Sequence, residues 1–453
     1  MQYLDALTRE ELIALVQLHE QRIAELEKEL EALRAQLRRS GPGNALPPFV
    51  KPNRRPRHQD SPKLRKKRTQ SFARKKENPT EEVHHAVERC PDCGRKLEGG
   101  WEHARRQVIE IPRTQVRIID HILIARRCGV CGKRYIPRLG VSDGVVGQHR
   151  VGPHLMSFIA TLSKVNRVTQ RQIQKLLKML YGLHLSVGEI SEVMHAVARY
   201  GTGEMSKLLE DVRASPVVHA DETGWREDGL NGYVWSFSTP RTRYFKIELS
   251  RASEVAQQVL GEGFAGVLVT DFYGGYNWYP GPKARCWAHL LRDLRKLSDE
   301  HSDDPGVARW VESVIAIYRR AKGTAWHNRS ETKRCQARAK YEKQIMVLAG
   351  PYLNDREAPQ HILAKRIERF LSELFTWVRH PEAPSDNNAA ERALRPVVIY
   401  RKVSGGTRSN KGSKTTSILL SLLSTWQLRG LDPIETCVAM LTNPQSLPRA
   451  SPA

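Results

Sequence analysis

Apolar residues recur in alternating steps of four and three between residues 8 and 39, which predicts one long amphipathic helix. The run Thr8-Arg9-Glu10-Glu11 has the pattern of a capping box at its start. The recurring positions form an a/d seam that is polar only at His19, so we expect a leucine-zipper-like segment over 1–40 that pairs with a second copy. A helix packed on its own protein is the alternative. The seam comprises Leu12, Val16, His19, Ile23, Leu26, Leu30, Leu33 and Leu37.

Residues 41–85 are rich in proline and in basic side chains and contain few apolar residues. Such a segment cannot bury enough apolar surface to offset the entropy of ordering, so we expect a basic disordered linker. Its cations could bind phosphate without sequence preference, and a merely solubilising tether is the alternative.

Residues 86–140 alternate apolar and polar positions over short stretches, as at 106–111 and 116–122, which predicts the strands of a small β module. Between 145 and 205 the apolar spacing becomes helical. One helix is predicted over 169–180 and stops at Tyr181-Gly182, and a second begins at Ser186. This is the arrangement of a helix-turn-helix DNA-binding region, although any two packed helices share it.

From residue 214 onward the pattern predicts three strands, a helix, a strand and a helix. The fourth strand is wholly apolar, so we expect it to be buried in a sheet. A charge-rich helical insertion at about 298–380 interrupts this α/β domain, which spans 206–440 and is followed by a tail over 441–453. The predicted strands are 216–220, 232–238, 244–249 and 267–270, and the predicted helices are 253–260 and 288–297.

The charge balance indicates the class of partner. The 453 residues include 73 Lys and Arg against 49 Asp and Glu, which gives a net charge of +24. A strongly basic protein most often binds nucleic acid by neutralising phosphates, and an anionic membrane or a solvated surface is the alternative. No run approaches the ~18 apolar residues of a membrane span, and no secretory signal is visible. We therefore expect a cytoplasmic, nucleoid-associated protein with no membrane partner.

Two CxxC pairs, Cys90/Cys93 and Cys128/Cys131, provide four thiols, each pair within turn-forming residues. In a reducing compartment such pairs favour metal over disulfide, and four thiolates suit one tetrahedral structural Zn²⁺. The alternative is a pair of reducible dithiols.

Carboxylates end two of the predicted strands: Asp221 follows the first and Asp271 the fourth. Adjacent parallel strands would bring both to one edge of the sheet, where divalent cations would offset their repulsion. Glu391 is the candidate for a third metal ligand, and Asp386 and Glu222 compete with it for that position.

The surroundings of Glu391 also allow a purely local interpretation. An ion pair with Arg395 and a capping box with Asn388 would explain the pattern without catalysis. Basic residues follow the second and third acids, where phosphates would have to pass, and we expect them to bind nucleic acid. They are Arg285, His289, Arg292, Arg392, Arg395, Arg401, Lys402 and Arg408.

Three blocks of this sequence resemble the catalytic blocks of the IS66 family of bacterial insertion-sequence transposases. They are His219–Trp225, Asp271-Phe272-Tyr273 and Asp386–Arg392, and Cys286–His289 and Arg401-Lys402 resemble further family motifs. The order of segments is also similar. The resemblance implies a multidomain α+β fold: a coiled-coil helix, a zinc-binding β module, a helix-turn-helix and an RNase H-like α/β catalytic domain with a helical insertion.

The resemblance further implies that Asp221, Asp271 and Glu391 form a catalytic triad that holds two Mg²⁺ or Mn²⁺ ions. The implied activity is cleavage and strand transfer at terminal inverted repeats of double-stranded DNA, by a homodimer or higher multimer with possible accessory proteins. A catalytically inactive, zinc-dependent DNA-binding regulator is the alternative function. A carboxylate-pair hydrolase acting on sugars is a more distant one, which the basic charge disfavours.

Overall fold

The computed structural model describes residues 19–28, 77–111 and 116–443. Residues 19–28 form a helix, α1, whose seam side chains Ile23 and Leu26 are 56% and 47% exposed. The rest of the predicted zipper and most of the predicted linker and tail lie outside the described residues. Of the helices that the structure describes, none is both long and apolar enough to cross a bilayer. The chain divides after Ile111 into two compact units.

In residues 77–111 of the first unit, ladder pairing is limited to one bridge, between Arg89 and Lys96, beside the first cysteine pair. The strand predicted at 106–111 is wrong, because those residues have no strand pairing in the described structure. Val108 and Ile109 are each 74% exposed, so the apolar side chains of this alternating segment are not buried against other residues of the described structure. An alternating segment becomes a stable strand only where neighbours pair with it.

The described part of the second unit begins with an antiparallel pair, β1 Arg126–Arg127 and β2 Arg134–Tyr135, on either side of the second cysteine pair. The strand predicted at 116–122 is wrong for the same reason, and Ile118 and Ile122 are 84% and 83% exposed. The predicted β module is therefore reduced, in the described residues, to short pairings around the cysteine turns.

The next segment consists of four helices, α2 Pro153–Lys164, α3 Gln170–Tyr181, α4 Val187–Tyr200 and α5 Thr202–Arg213. α3 starts after Thr169, whose hydroxyl accepts a hydrogen bond from the Gln172 amide, and it ends at Gly182, with a φ of +66°. The hydroxyl of Ser186 caps α4. Both helix starts and the stop between them agree with the sequence prediction, because capping signals are local.

A five-stranded mixed sheet follows, made of β3 Val217–Glu227, β4 Leu230–Ser238, β5 Arg243–Glu248, β6 Val267–Thr270 and β7 Lys283–Arg285. The order is β5-β4-β3-β6-β7, antiparallel on the β5 side of β3 and parallel on the β7 side. Helix α6, Ser253–Leu260, precedes β6 as predicted. Strand β7 was not predicted, because three residues with two cations carry no apolar alternation.

A helical stretch follows the sheet: α7 Trp287–Glu300, α8 Pro305–Lys322, α9 Glu331–Ala349, α10 His361–Arg369, α11 Leu371–Leu374 and α12 Thr376–Arg379. It has its own apolar core, in which the rings of Trp287 and Tyr318 stack with centroids 4.7 Å apart. Three further helices return towards the sheet: α13 Asn388–Ser404, α14 Asn410–Leu428 and α15 Pro433–Thr442. The mixed α+β class predicted from the sequence is confirmed.

Helix α14 covers the β5 edge of the sheet. Three hydroxyls spaced four residues apart on α14 accept hydrogen bonds of 2.8–3.0 Å from three alternate amides of β5. The helix therefore satisfies backbone groups that an open edge strand would offer to another chain. The pairs are Ser417 with Ile247, Ser421 with Phe245 and Thr425 with Arg243.

Candidate active site

Asp221 and Asp271 occupy matching positions on neighbouring parallel strands. Strands β3 and β6 pair in parallel with His219 opposite Val269, and each aspartate lies two residues further along its strand direction. This is the pairing that the sequence predicted for the two acids. Both carboxylates are fixed by their own backbone: Asp221 Oδ1 accepts from the Glu222 amide and Asp271 Oδ1 from the Tyr273 amide, each at 2.9 Å.

Burial and neighbouring carboxylates both act on Asp221. Burial, followed by the negative charges of Glu222 and Asp271, raises the pKa of Asp221 to about 7. Glu391 adds to the same repulsion, so the third candidate acid lies within electrostatic reach of the first. The side chain of Glu391 is 27% exposed, in the first turn of α13. The charges of Asp271 and Glu391 thus both act on Asp221, at the ends of β3 and β6.

The donor atoms of these residues, more than their spacing, suit a divalent cation. In the described ranges, no three Asp, Glu, His or Cys side chains lie close enough together to hold a metal ion as they stand. The chemistry of the donors nevertheless fits, because carboxylate oxygens are the ligands that Mg²⁺ and Mn²⁺ prefer. A cation would also offset the burial and the repulsion that together raise the pKa of Asp221.

Asn387 connects the helix of Glu391 to the strand of Asp221. Its side chain is fully buried, and its Nδ2 donates a 2.8 Å hydrogen bond to the Ala220 carbonyl. Its Oδ1 lies 3.0 Å from His219 Nδ1, so the ring donates from that nitrogen. The Asn387 amide donates to Cys286 Sγ at 3.1 Å. No role for Asn387 was predicted from the sequence, although it is in the block that contains Glu391.

The local interpretation of Glu391 is wrong. The residue that caps α13 is Asn387 rather than Asn388, and it makes no side-chain capping bond. Within the described residues, Glu391 Oε1 lies 3.9 Å from His289 Nε2 and forms no ion pair with Arg395. In the described structure, Arg395 therefore does not hold this acid.

The two competing third ligands have other partners. Both oxygens of Glu222 are bound: Oε1 lies 2.7 Å from Arg251 Nη2, and Oε2 accepts a 2.6 Å hydrogen bond from the Tyr276 hydroxyl. Its side chain is only 2% exposed. Asp386 Oδ1 accepts a 3.2 Å hydrogen bond from the Asn388 amide, and Asp386 Oδ2 lies 3.8 Å from Lys322 Nζ. Glu391 is the freest of the three candidates.

The prediction that Arg285 contacts nucleic acid is wrong. Arg285 is completely buried, and its guanidinium donates to protein acceptors on every nitrogen. A fully buried cation with satisfied donors stabilises the fold and cannot reach a phosphate. Its acceptors are Glu373 Oε2, Thr270 Oγ1, Asn277 Oδ1 and the carbonyls of Asp271 and Tyr273.

The other predicted cations differ in how free they are. Arg401 is half-buried and its Nη1 donates to the Gly224 carbonyl on β3, so it also has a structural role. His289 is half-buried, and its Nδ1 has no hydrogen-bond partner among the described residues. The remaining five are exposed and form no ion pair within the described chain: Arg292, Arg392, Arg395, Lys402 and Arg408.

The first cysteine pair forms a tight turn. The Cys90 amide donates to the Arg95 carbonyl at 2.9 Å, and the Gly94 amide donates to the Cys90 carbonyl at 2.8 Å. Gly94 has a φ of +70°, which a glycine adopts without strain. Amide hydrogen bonds from Cys93 and Asp92 lower the pKa of the Cys90 thiol. The turn thus favours the thiolate, which is the form that binds metal.

The second cysteine pair repeats this turn. The Cys128 amide donates to the Lys133 carbonyl at 2.9 Å, and the Gly132 amide donates to the Cys128 carbonyl at 3.0 Å. Gly132 has a φ of +67°. Amide hydrogen bonds from Cys131 and Val130 lower the pKa of the Cys128 thiol. The two cysteine turns therefore share the same hydrogen-bond pattern, and both favour a thiolate at their first cysteine.

Residues 148–415 match the model of the family described as "Transposase IS66 family". The chain is also similar to proteins of Sinorhizobium fredii (strain NBRC 101917 / NGR234). It is 26% identical over 276 residues to uncharacterized protein y4qI, and this alignment covers 52% of this chain and 49% of that protein. It is 25% identical over 285 residues to uncharacterized protein y4jD, covering 56% and 55%. The match thus spans about half the length of each of these two relatives.

Proposed function

Because the chain belongs to the IS66 family of transposases, we propose that it cleaves DNA at the terminal inverted repeats of an insertion sequence and joins the ends to target DNA. The observation that carries this proposal is that Asp221, on the strand next to Asp271, is buried within electrostatic reach of three other carboxylates, so that burial and their charges raise its pKa to about 7. A protein that places several acids together beside exposed arginines fits a metal-dependent reaction on a polyanion.

The order of the sheet supports an RNase H-like catalytic domain. Three antiparallel strands, β5, β4 and β3, continue into the parallel strands β6 and β7, so that β3 is central in the sheet. The helices between α7 and α12 lie in sequence between the second and third acids, as a helical insertion would. In this proposal Asp221, Asp271 and Glu391 are the catalytic triad.

Two bound Mg²⁺ or Mn²⁺ ions would polarise the phosphodiester and lower the pKa of the attacking hydroxyl. Asp221, Asp271 and Glu391 would hold them, and Asp221 must first release the proton that its neighbours help it to retain. Water first attacks the phosphodiester at the transposon end and frees a 3′-hydroxyl. That hydroxyl then attacks a target phosphodiester and expels a 3′-hydroxyl of the target, so one phosphodiester forms as another breaks.

The exposed cations beside the third acid would orient the DNA. Arg395 and Lys402 follow Glu391 by four and eleven residues on α13, which places all three along one helix face. A DNA strand lying along this helix face would have its phosphates next to Glu391. The cysteine turns would each contribute two thiolates to zinc, and paired zipper helices would join the two ends in a multimer.

A labelled DNA fragment that carries the element's end tests the proposal. With Mg²⁺ the wild-type protein is expected to nick it, and without Mg²⁺ it is expected only to bind. Asp221→Asn should abolish nicking and strand transfer while leaving end binding intact. Binding without nicking at any metal concentration would identify a DNA-binding regulator instead, and nicking by the Asp221 variant would refute the triad.

A further inference from the structure

The second helix of the predicted helix-turn-helix is poorly placed to enter a DNA groove. Half of α4 is buried, including Ile190, Val193 and Val197. The acids of its first turns also have partners: Glu189 lies 2.6 Å from Arg150, and Glu192 lies 3.2 Å from Lys411. A recognition helix contacts bases through its N-terminal residues, and here that end carries two carboxylates that would repel phosphate.

The first helix has the opposite character. Arg171, Lys175 and Lys178 of α3 are exposed, and within the described residues none of them forms a hydrogen bond or ion pair through its side chain. Their spacing of four and three residues places them on one helix face. Ile173 and Leu177, both 0% exposed, hold the opposite face against the protein. Helix α3 has no acidic residue, so no carboxylate on this helix offsets the positive charge of Arg171, Lys175 and Lys178, which together form a basic stripe.

Two residues of the stripe lie beside a groove. Lys175 and Lys178 line a groove of about 530 Å³ whose other wall is the turn from Leu183 to Ser186. Gln174 Nε2 donates a 2.7 Å hydrogen bond to the Leu185 carbonyl, which fixes the turn to the helix. The cations therefore project from a fixed framework, and less conformational entropy is lost when they bind.

We propose that α3, and not α4, lies against DNA, with Arg171, Lys175 and Lys178 neutralising consecutive phosphates of one strand while α4 supports it from within the protein. The proposal rests on the function proposed above, which supplies DNA as the partner. Seven helical residues span about 10 Å, and phosphates follow one another every ~3.4 Å along the duplex axis, so three flexible cations can reach two or three of them.

The test is the salt dependence of binding to two duplexes, one with the element's end and one of unrelated sequence. Each neutralised phosphate contributes about 0.9 to the slope of log K against log salt. The triple variant R171Q/K175Q/K178Q is expected to lower the slope by about 2–3 on both duplexes. The charge-retaining variant R171K/K175R/K178R is expected to keep the wild-type slope, which separates charge from packing.

A matched control removes three exposed lysines from another helix of the same chain, as K333Q/K340Q/K343Q on α9. Its slope is expected to stay at the wild-type value. An unchanged slope in the α3 variant, or an equal loss in the α9 variant, would overturn the proposal. Loss on the end duplex alone would also overturn it, because it would indicate base reading. If wild-type protein nicks DNA and the α3 variant binds DNA with the wild-type slope, only this inference is refuted. If wild-type protein binds no DNA, the proposed function is refuted as well.

Discussion

The buried carboxamide of Asn387 donates a 2.8 Å hydrogen bond to the carbonyl of Ala220, the residue immediately before Asp221. Because Asn387 is also the capping residue of α13, this bond joins the strand of the first acid to the helix of the third. The spacing of Asp221 and Glu391, which are far apart in sequence, thus depends in part on this amide. Residues that orient metal ligands in this way affect metal affinity without touching the metal.

Asn387→Ala is expected to raise the Mg²⁺ concentration needed for half-maximal nicking by about 10–100-fold. It also leaves the Ala220 carbonyl and His219 Nδ1 unpaired, which should cost about 2–3 kcal/mol of unfolding free energy. The matched control is Asn388→Ala, since the Asn388 side chain is only half-buried. Nicking titrated with metal and thermal unfolding measure the two effects. Equal behaviour of the two variants would contradict the role of Asn387.

Asp221 should make the metal-free protein less stable as pH rises. Its folded-state pKa is about 7, raised from 3.8, so the folded protein binds this proton more tightly than the unfolded chain. Its contribution to stability is therefore complete below about pH 4 and lost as pH rises through 7. Asp221→Asn should stabilise the chelated protein at pH 8 by about 1–3 kcal/mol and have little effect near pH 4.

Thermal unfolding in chelator between pH 4 and pH 8 measures this difference. Asp303→Asn, which changes an exposed aspartate outside the site, is expected to show no comparable trend. Added Mg²⁺ should narrow the gap between wild type and the Asp221 variant at pH 8, because the cation stabilises the charged carboxylates. A variant less stable than wild type throughout would show that the acids do not repel one another.

Glu222→Gln is expected to preserve activity, in contrast to Asp271→Asn, because Arg251 and Tyr276 occupy both oxygens of Glu222. Removal of its charge should lower the pKa of Asp221, since Glu222 contributes to raising it. The pH at which metal-dependent nicking reaches half its maximum should therefore move to lower values. The pH profiles of the two variants distinguish them. Complete loss of nicking in Glu222→Gln would instead assign Glu222 to the metal.

Arginines that looked equivalent in the sequence should separate experimentally. Arg285→Gln is expected to cost about 3–5 kcal/mol of stability, because it leaves the Glu373 carboxylate without its buried partner. Arg408→Gln, at an exposed position, should leave stability unchanged and weaken DNA binding about equally on all sequences. Chemical denaturation and binding titrations on both variants provide the comparison. A stable Arg285 variant with weakened DNA binding would restore the original prediction for that residue.

Local signals determined what the sequence could predict. Ser253–Leu260 and Val267–Thr270 were predicted at their observed bounds, because a helical period and a wholly apolar run are contained within the segment. Burial of Arg285 could not be predicted, since it depends on acceptors such as Glu373 that are distant in sequence. The role of Asn387 was missed for the same reason. The strands expected at 106–111 and 116–122 had the pattern of strands but no pairing partner in the described structure.

Zinc should accompany the purified protein in a ratio of about one ion per chain, because four cysteines in two turns supply one tetrahedral set of thiolates. Elemental analysis after purification without chelator measures this ratio. Cys93→Ser should lower the ratio and the unfolding temperature together, since metal binding contributes folding free energy. The control is Cys335→Ser, which changes an isolated thiol on α9 and should retain the zinc. Wild-type protein without zinc, or a Cys335 variant that loses as much as the Cys93 variant, would refute the zinc assignment.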